Sequence, residues 1–550
     1  MKRATRIAPK TPTDTMSMKA QVAHLMAQIA ERDAVIAQRD EKIIALTRRA
    51  DLLQEQLNLA IARRFAARSE KIPAGQMRFF DEAEGAVLTG PEADDGLEEA
   101  GIPVTPIAAH VRKKGGRKPL PLALPRIDIV HELPEADRIC PHDGAILSVI
   151  GEEVSEQLDI IPAKIQVLRH IRRKYACSCG QCVKTAPVPP QPIPKSLASP
   201  GLLAHIAVSK YQDALPLYRQ EEILTRIGCD LPRATLASWM VKTGILIQPL
   251  INLLRDKLLG YDILALDETP VQVLKEPGKS AQSQSYLWVQ RGGPPETPII
   301  LFDYDPSRGS SVPLRLLEGF KGILQTDGYD GYNAAVKAQS LTHAGCLAHA
   351  RRKFDEVIKA QGRQKKKGLA EEALAQIQKL YAVEKAARGM TAEDRHRYRD
   401  QHARPLWATL RIWLDTHRPG VPPQTALGKA LAYLANEWDK LVVYLTDGRL
   451  EIDNNRTENA IRPFCIGRRN WLFSDSVAGV KASANLYSLI ESAKANGLEP
   501  YAYLRRIFTD LPKAQTIEDL EALLPTVIRP DQIAMDLAVA LVKNKNEVAK

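Results

Sequence analysis

The sequence predicts an α/β core that is interrupted by a helical insertion and preceded by three smaller modules: a long heptad-patterned helix, a cysteine-rich module and a helix-turn-helix-like region. Three observations predict it. Short apolar runs separated by turn residues follow one another between Asp262 and Thr326, as consecutive strands do. A long, mostly helical stretch then intervenes before a further helix beginning near Asn454. Near the N-terminus, apolar residues recur every seven positions, the period of a coiled coil.

With 550 residues there is room for several cores, roughly three or four at about 150 residues each. The 76 Lys and Arg against 65 Asp and Glu leave a formal charge of +11, which favours an anionic partner such as nucleic acid. Met1-Lys-Arg-Ala-Thr-Arg leads into Pro9 and Thr11 rather than an apolar core, and no uninterrupted apolar run reaches membrane-spanning length. The expectation is a soluble, cytoplasmic, nucleoid-associated protein with no membrane partner. Seven cysteines is an odd number, and four of them cluster at Cys140, Cys177, Cys179 and Cys182, which suits a metal site better than a secreted disulfide framework.

Residues 17–68 carry the heptads: Val22, Ile29, Ile36, Ile43, Ala50 and Leu57, joined by Leu25, Leu46 and Leu53. Arg32 and Arg39 stand where a strong zipper wants leucine, so the alternative is an amphipathic helix packed on its own protein. Residues 69–125 form a linker ending in a basic arm, in which Arg112, Lys113, Lys114, Arg117 and Lys118 precede Pro119 on an extended segment suited to phosphates or a narrow minor groove. A solvated charge run reads almost as well. In residues 126–195, Cys140 and His142 face Cys177, Cys179 and Cys182 across an apolar, basic stretch, and thiolates with imidazole suit a structural Zn²⁺. Cys179 and Cys182 make the clearest pair, while the first ligand group is ambiguous between His142 and Asp143. Residues 196–250 contain two short helices joined at Gly228, with Pro232 near the start of the second. Arg233 and Thr235 would then meet base edges or phosphates, although any helical hairpin could look this way.

Residues 251–355 open the core. Asp262–Asp267, Ser285–Gln290 and Pro298–Asp303 read as three strands, a short helix follows at Pro313–Glu318, and Gly322–Thr326 and Leu341–Cys346 read as two more strands. Strand, strand, strand, helix, strand is the order of a ribonuclease-H-like core. In that arrangement an acid on the first strand, Asp267, lies beside one after the fourth, Asp327, and a later helix brings the third, Glu458. Residues 356–450 are the helical insertion, 451–496 complete the core and 497–550 form a C-terminal helical region. Taken singly, Asp267 reads as a strand-end cap, Asp327 as a turn residue and Glu458 as a solvated helix residue. Together they read as a site for hard divalent cations, Mg²⁺ or Mn²⁺, because such ions take oxygen ligands and a pair of them can promote phosphodiester chemistry. Glu268, Asp330, Glu451 and Asp453 are neighbouring carboxylates, with Asp453 better suited to a helix start.

Leu264-Ala-Leu-Asp-Glu-Thr-Pro-Val-Gln-Val-Leu274, Gln325-Thr-Asp-Gly-Tyr-Asp-Gly-Tyr332, Gly345-Cys-Leu-Ala-His-Ala-Arg-Arg-Lys-Phe354 and Ile452-Asp-Asn-Asn-Arg-Thr-Glu-Asn-Ala-Ile-Arg-Pro463 occur in that order. These motifs resemble the transposase of the insertion sequence sixty-six family, and the resemblance extends over nearly the whole chain. It implies a DDE transposase with Asp267, Asp327 and Glu458 as its acidic triad. Where relatives have a paired-cysteine first knuckle, this chain offers Cys140 with His142 or Asp143.

The implied activity is Mg²⁺-dependent DNA cleavage and strand transfer at the element's terminal inverted repeats, with target DNA as second substrate. Arg462, Arg468 and Arg469 are candidates for holding phosphates and Trp471 for stacking on a base, with ion pairing and core packing as the bland alternatives. His343, Cys346 and His349 follow at three-residue intervals and resemble a Cys-x-x-His element of other transposases, though a packed strand-to-helix junction explains that spacing better. Two rival readings are a nuclease that cuts without joining and a zinc-containing DNA-binding regulator. A homo-oligomer is expected through the heptads, together with possible small accessory proteins of the same element.

Overall fold

The computed structural model describes residues 13–65, 165, 167–170, 172–176, 183–185, 190–360 and 368–534. The basic arm from Arg112 to Lys118 and the candidate zinc ligands Cys140, His142, Cys177, Cys179 and Cys182 lie outside the described residues.

The architecture is mixed α/β. Thr13–Phe65 is one helix, and its heptad side chains Val22, Leu25, Ile29, Ile36, Ile43, Leu46, Leu53 and Leu57 are all exposed. These described heptad side chains face outward, while the helix also meets Leu347–Ala360 of the same chain. Within 83–188, which forms a unit of its own, two short strands are described: β1 (Lys174–Ala176) pairs antiparallel with β2 (Val183–Thr185).

The helix pair expected around Gly228 is present as Leu217–Arg226 and Arg233–Leu246, and Gly228 itself has φ +81, a left-handed turn that costs glycine least. Pro232 sits one residue outside the second helix, as its N-cap. No single helix among the described residues is long and apolar enough to cross a membrane. The bent pair Arg233–Leu246 and Gln248–Leu259 reaches that length and composition together, but Leu236, Met240, Ile247, Leu250, Leu254 and Leu258 are buried in the protein's own core.

Six described strands form the sheet of the core, five of them in the order β5-β4-β3-β6-β7 and the sixth attached to β3 off that path. β3 (Ile263–Lys275), β4 (Gln284–Gly292) and β5 (Ile299–Asp305) make an antiparallel meander, while β6 (Ile323–Gln325) and β7 (Thr342–Ala344) run parallel to β3. β3 runs well past the expected end at Asp267 because β4 stays paired with it as far as Gln272, and β8 (Ser474–Ser476) joins its far end in parallel. Asp267 is therefore a mid-strand residue. Pro270 falls between the stretches paired to β6 and to β8, where that side of β3 lacks a strand neighbour and a missing N–H is tolerated. Arg468 fills the gap, donating to the Pro270 carbonyl and to Thr269 Oγ1.

Among the described residues, β5 is paired with a strand on one side only. Its other side is closed by the helix Val477–Ala495, on which Ser488 and Ser492 accept the N–H groups of Phe302 and Ile300 at 2.7 and 2.9 Å, and Asn496 donates to the Pro298 carbonyl. Serines at i and i+4 match alternate residues of the strand, so one helix face satisfies one strand face. Ser488→Ala leaves the buried Phe302 N–H unpaired and is expected to cost about 1–3 kcal/mol, read from denaturant unfolding. A variant as stable as the native chain would argue against the role of this contact.

Residues 369–450 build a separate helical core. Leu369–Ala386, Ala392–His417 and Ala426–Asn436 pack Ile377, Leu380, Trp407, Leu410 and Leu431 against Phe354 and Val357 of the helix Leu347–Ala360. Toward the end of the helical insertion, residues 426–446 form Ala426–Asn436, a short helix Trp438–Leu441 and a 3₁₀ turn rather than one continuous helix.

Candidate active site

Asp267, Asp327 and Glu458 are carried by three separate elements. The last parallel pair of β3 and β6 is Ala265 with Gln325, so two residues further along each chain Asp267 and Asp327 come side by side. Backbone N–H groups pin both: Glu268 N–H donates to Asp267 Oδ1 at 2.8 Å, and Tyr329 N–H to Asp327 Oδ1 at 3.0 Å. Glu458 lies in the first turn of the helix Asn455–Trp471. The start of that helix is tied to the sheet, since Asn454 donates its side-chain amide to the Leu266 carbonyl and its backbone N–H to Cys346 Sγ, both at 3.2 Å. Gln325 adds a bond to the Glu451 carbonyl at 2.7 Å. The third acid is thus held against the strands that carry the other two.

The electrostatics follow from this crowding. Burial, and then the charges of Glu268, Asp327 and Glu458, push Asp267 well above the usual carboxylate range. Burial raises Glu268, opposed by hydrogen bonds from Tyr332 and Arg308, and burial raises Glu458 against the pull of Arg352. Glu458 Oε1 is buried with no hydrogen-bond partner among the described residues. Mutually repelling, largely buried carboxylates are an all-oxygen donor set that fits hard divalent cations. Among the described residues, the three donor atoms lying within 4.8 Å of one another belong to Cys346, His349 and Glu458, whereas the three acids are spread more widely.

A pH prediction follows. Asp267, Glu268 and Glu458 hold protons to higher pH in the folded chain than in the unfolded one, so the cation-free protein loses stability as pH rises through the folded pKa values. Its melting temperature is expected to be lower at about pH 8 than at about pH 5, with Mg²⁺ narrowing the difference. A difference that Mg²⁺ leaves untouched would speak against cation binding here.

The neighbouring acids are engaged elsewhere. Glu268 receives Tyr332 Oη and a 2.6 Å ion pair from Arg308, whose guanidinium lies 4.0 Å from the centre of the Tyr329 ring. Asp453 accepts from Tyr381 Oη at 2.9 Å and from Asn455 N–H at 3.2 Å, Glu451 pairs with Arg456, and Asp330 accepts from Asn333. Arg352 stands 3.7 Å from Glu458 Oε2 and is half-exposed, so it both steadies that carboxylate and faces the open side. Tyr332 and Arg352 carry a sequence signal only through their place inside the motifs Gln325–Tyr332 and Gly345–Phe354, and Arg308, which lies in neither motif, carries none.

Of the candidate DNA-contact residues, Arg469 and Arg233 are exposed, while Arg462 and Thr235 are half-buried. Arg468 is committed to β3, and Trp471 packs edge-on against Phe464 at 5.4 Å beneath Lys210. His343 bonds Thr326 Oγ1 at 2.7 Å, and burial with the charge of Lys440 holds its pKa down at about 4.

Comparison with known proteins agrees with the motifs. The family model described as "Transposase IS66 family" matches residues 195–482, and "zinc-finger binding domain of transposase IS66" matches 137–180. "IS66 C-terminal element" matches 488–526, and "Transposase C of IS166 homeodomain" matches 52–129. Two uncharacterized proteins of Sinorhizobium fredii are similar: y4jD, 36% identical over 75% of this chain and 82% of its own length, and y4qI, 32% identical over 80% and 84%. No solved structure matches.

Proposed function

The chain belongs to the IS66 transposase family, and from that premise we propose that it is a DDE transposase with a ribonuclease-H-like core, which binds the terminal inverted repeats of its own element and catalyses DNA cleavage and strand transfer. The observation that carries this reading is the convergence of Asp267, Asp327 and Glu458 from β3, the end of β6 and the helix after the insertion, on a sheet of order 3-2-1-4-5.

In this reading the three carboxylates hold Mg²⁺ or Mn²⁺, which when bound supply Lewis-acid stabilisation of the attacking and leaving oxygens. The protein's own part is positional. The bonds from Glu268 N–H and Tyr329 N–H fix the rotamers of Asp267 and Asp327, and Asn454 fixes the turn that carries Glu458. Tyr332 and Arg308 hold the Glu268 carboxylate by a hydrogen bond and an ion pair beside the triad, and Arg352 presents a cation next to Glu458, where a phosphate would lie. No covalent enzyme intermediate is required: water, then the freed 3′-hydroxyl, attacks phosphorus.

The Arg233 end of the second helix after Gly228, the basic arm and the cysteine-rich module with Zn²⁺ are assigned to DNA contact, and the exposed heptads to homo-oligomerisation, so that two ends are held together. The site of action is the nucleoid. The test is Mg²⁺-dependent nicking and joining on duplexes carrying the element's own ends. Cutting with joining is expected; cutting alone would indicate a nuclease, and tight end-binding without cleavage a regulator.

A further inference from the structure

Next to the triad lies a donor set of different chemistry. Cys346 follows β7 directly, His349 sits three residues later on the helix Leu347–Ala360, and Glu458 approaches from the helix Asn455–Trp471. One donor atom from each lies within 4.8 Å of the other two. His349 Nδ1 and Glu458 Oε1 are 3.9 Å apart, both buried, and neither has a hydrogen-bond partner among the described residues. That separation is too long for a hydrogen bond, whereas two ligands each ~2.0–2.2 Å from one ion stand at most about 4.4 Å apart. Two orphaned polar atoms facing each other across such a gap are costly unless something joins them.

We propose that Cys346, His349 and Glu458 form a metal site for a thiophilic divalent ion of the Zn²⁺ class, with Glu458 shared between it and the carboxylate triad. A thiolate and an imidazole select such an ion over Mg²⁺, which takes oxygen ligands. Binding replaces the S–H bond of Cys346 by an S–metal bond, and the proton goes to solvent. The Asn454 N–H bond to Sγ at 3.2 Å remains compatible, since sulfur keeps further lone pairs and metal-bound thiolates accept such bonds. Sharing is sterically reasonable because the carboxylate has two oxygens: Oε1 faces His349, while Oε2 lies toward Arg352 at 3.7 Å. The fourth position is left to water or to a DNA oxygen.

The experiment is Co²⁺ titration of the full chain, stripped of metal, followed by absorption in the thiolate-to-cobalt region and by equilibrium dialysis. The cysteine-rich module contributes equally to every variant, so differences isolate the site. Cys346→Ser is expected to lose one equivalent of Co²⁺ and part of the thiolate band. His349→Gln, which removes one imidazole and leaves the sulfur in place, is expected to bind that equivalent about tenfold more weakly or worse. Circular dichroism checks that Cys346→Ser folds; should it not, His349→Gln decides alone. Unchanged stoichiometry and affinity with a superimposable spectrum in His349→Gln would overturn the proposal. Asp267→Asn is expected to keep this cobalt signal while losing DNA cleavage, so the site and the proposed catalytic reading fail on different variants.

Discussion

Replacing Asp267 by Asn is expected to lower both nicking and strand transfer by about 10³-fold or more, equivalent to about 4 kcal/mol of barrier, with DNA-end binding retained. The substitution is nearly isosteric, and the amide oxygen can still accept the Glu268 N–H that Asp267 Oδ1 accepts at 2.8 Å. What it removes is the charge at the centre of the cluster, on the carboxyl whose pKa is raised first by burial and then by Glu268, Asp327 and Glu458. On the proposed reading, losing that charge is expected to weaken cation binding and with it the stabilisation of the transition-state oxygens. Glu458→Gln should behave alike and leave the Asn454 anchor to Leu266 untouched. Both losses should be seen at saturating Mg²⁺, on the same duplexes used for the native chain. Cleavage surviving in Asp267→Asn at near-native rate would remove Asp267 from the proposed triad.

The second large effect lies away from the acids. Arg399 is fully buried in the helical insertion and spends its donors on Glu384, at 2.9 and 2.7 Å, and on the carbonyls of Tyr444, Asp447 and Leu450 at 2.9, 3.0 and 2.8 Å. Arg399→Ala strands the Glu384 carboxylate and three carbonyls and opens a cavity under Tyr444, whose ring the guanidinium overlies. Breaking a buried pair from one side typically costs about 3–5 kcal/mol, and that loss is expected here in chemical unfolding. Because the segment it grips runs on from Leu450 into Glu451 and Asn454, cleavage should fall as well through misplacement of Glu458. An Arg399→Ala chain as stable as the native one would mean that the network is incidental.

Much of this arrangement was legible in the sequence, for identifiable reasons. Strands β3 to β6 were visible because each contains a short apolar run beside turn residues, and Asp267 and Asp327 because each stands directly beyond such a run. The length of β3 was not, since Pro270 reads as a strand breaker and only the unpaired side between β6 and β8 makes it harmless. Nor was the break after Asn436, which periodicity passes over. The supporting groups Tyr332, Arg308 and Arg352 depend on contacts between distant segments, such as the approach of Arg308 to Glu268, that no local pattern encodes. Glu384 with Arg399 is a case of the same kind: a charged pair on two helices looks like solvated surface until the helices are packed. The spacing of Cys346 and His349 was noticed, but its partner Glu458 lies too far along the chain for spacing to connect them.

The serine-faced helix Val477–Ala495 has a bearing on how copies of this chain can associate. A bare β5 would be a template on which a second molecule could add a strand, at any register and in either sense. Ser488 and Ser492 occupy the N–H groups of Phe302 and Ile300 that such a strand would use. Promiscuous edge-to-edge joining is thereby blocked at β5, and the long N-terminal helix, with its apolar heptads turned outward, is left as a way of joining whose alignment is set by side-chain pattern. For a protein proposed to hold two DNA ends at a fixed separation, closing the indiscriminate route matters as much as opening the selective one.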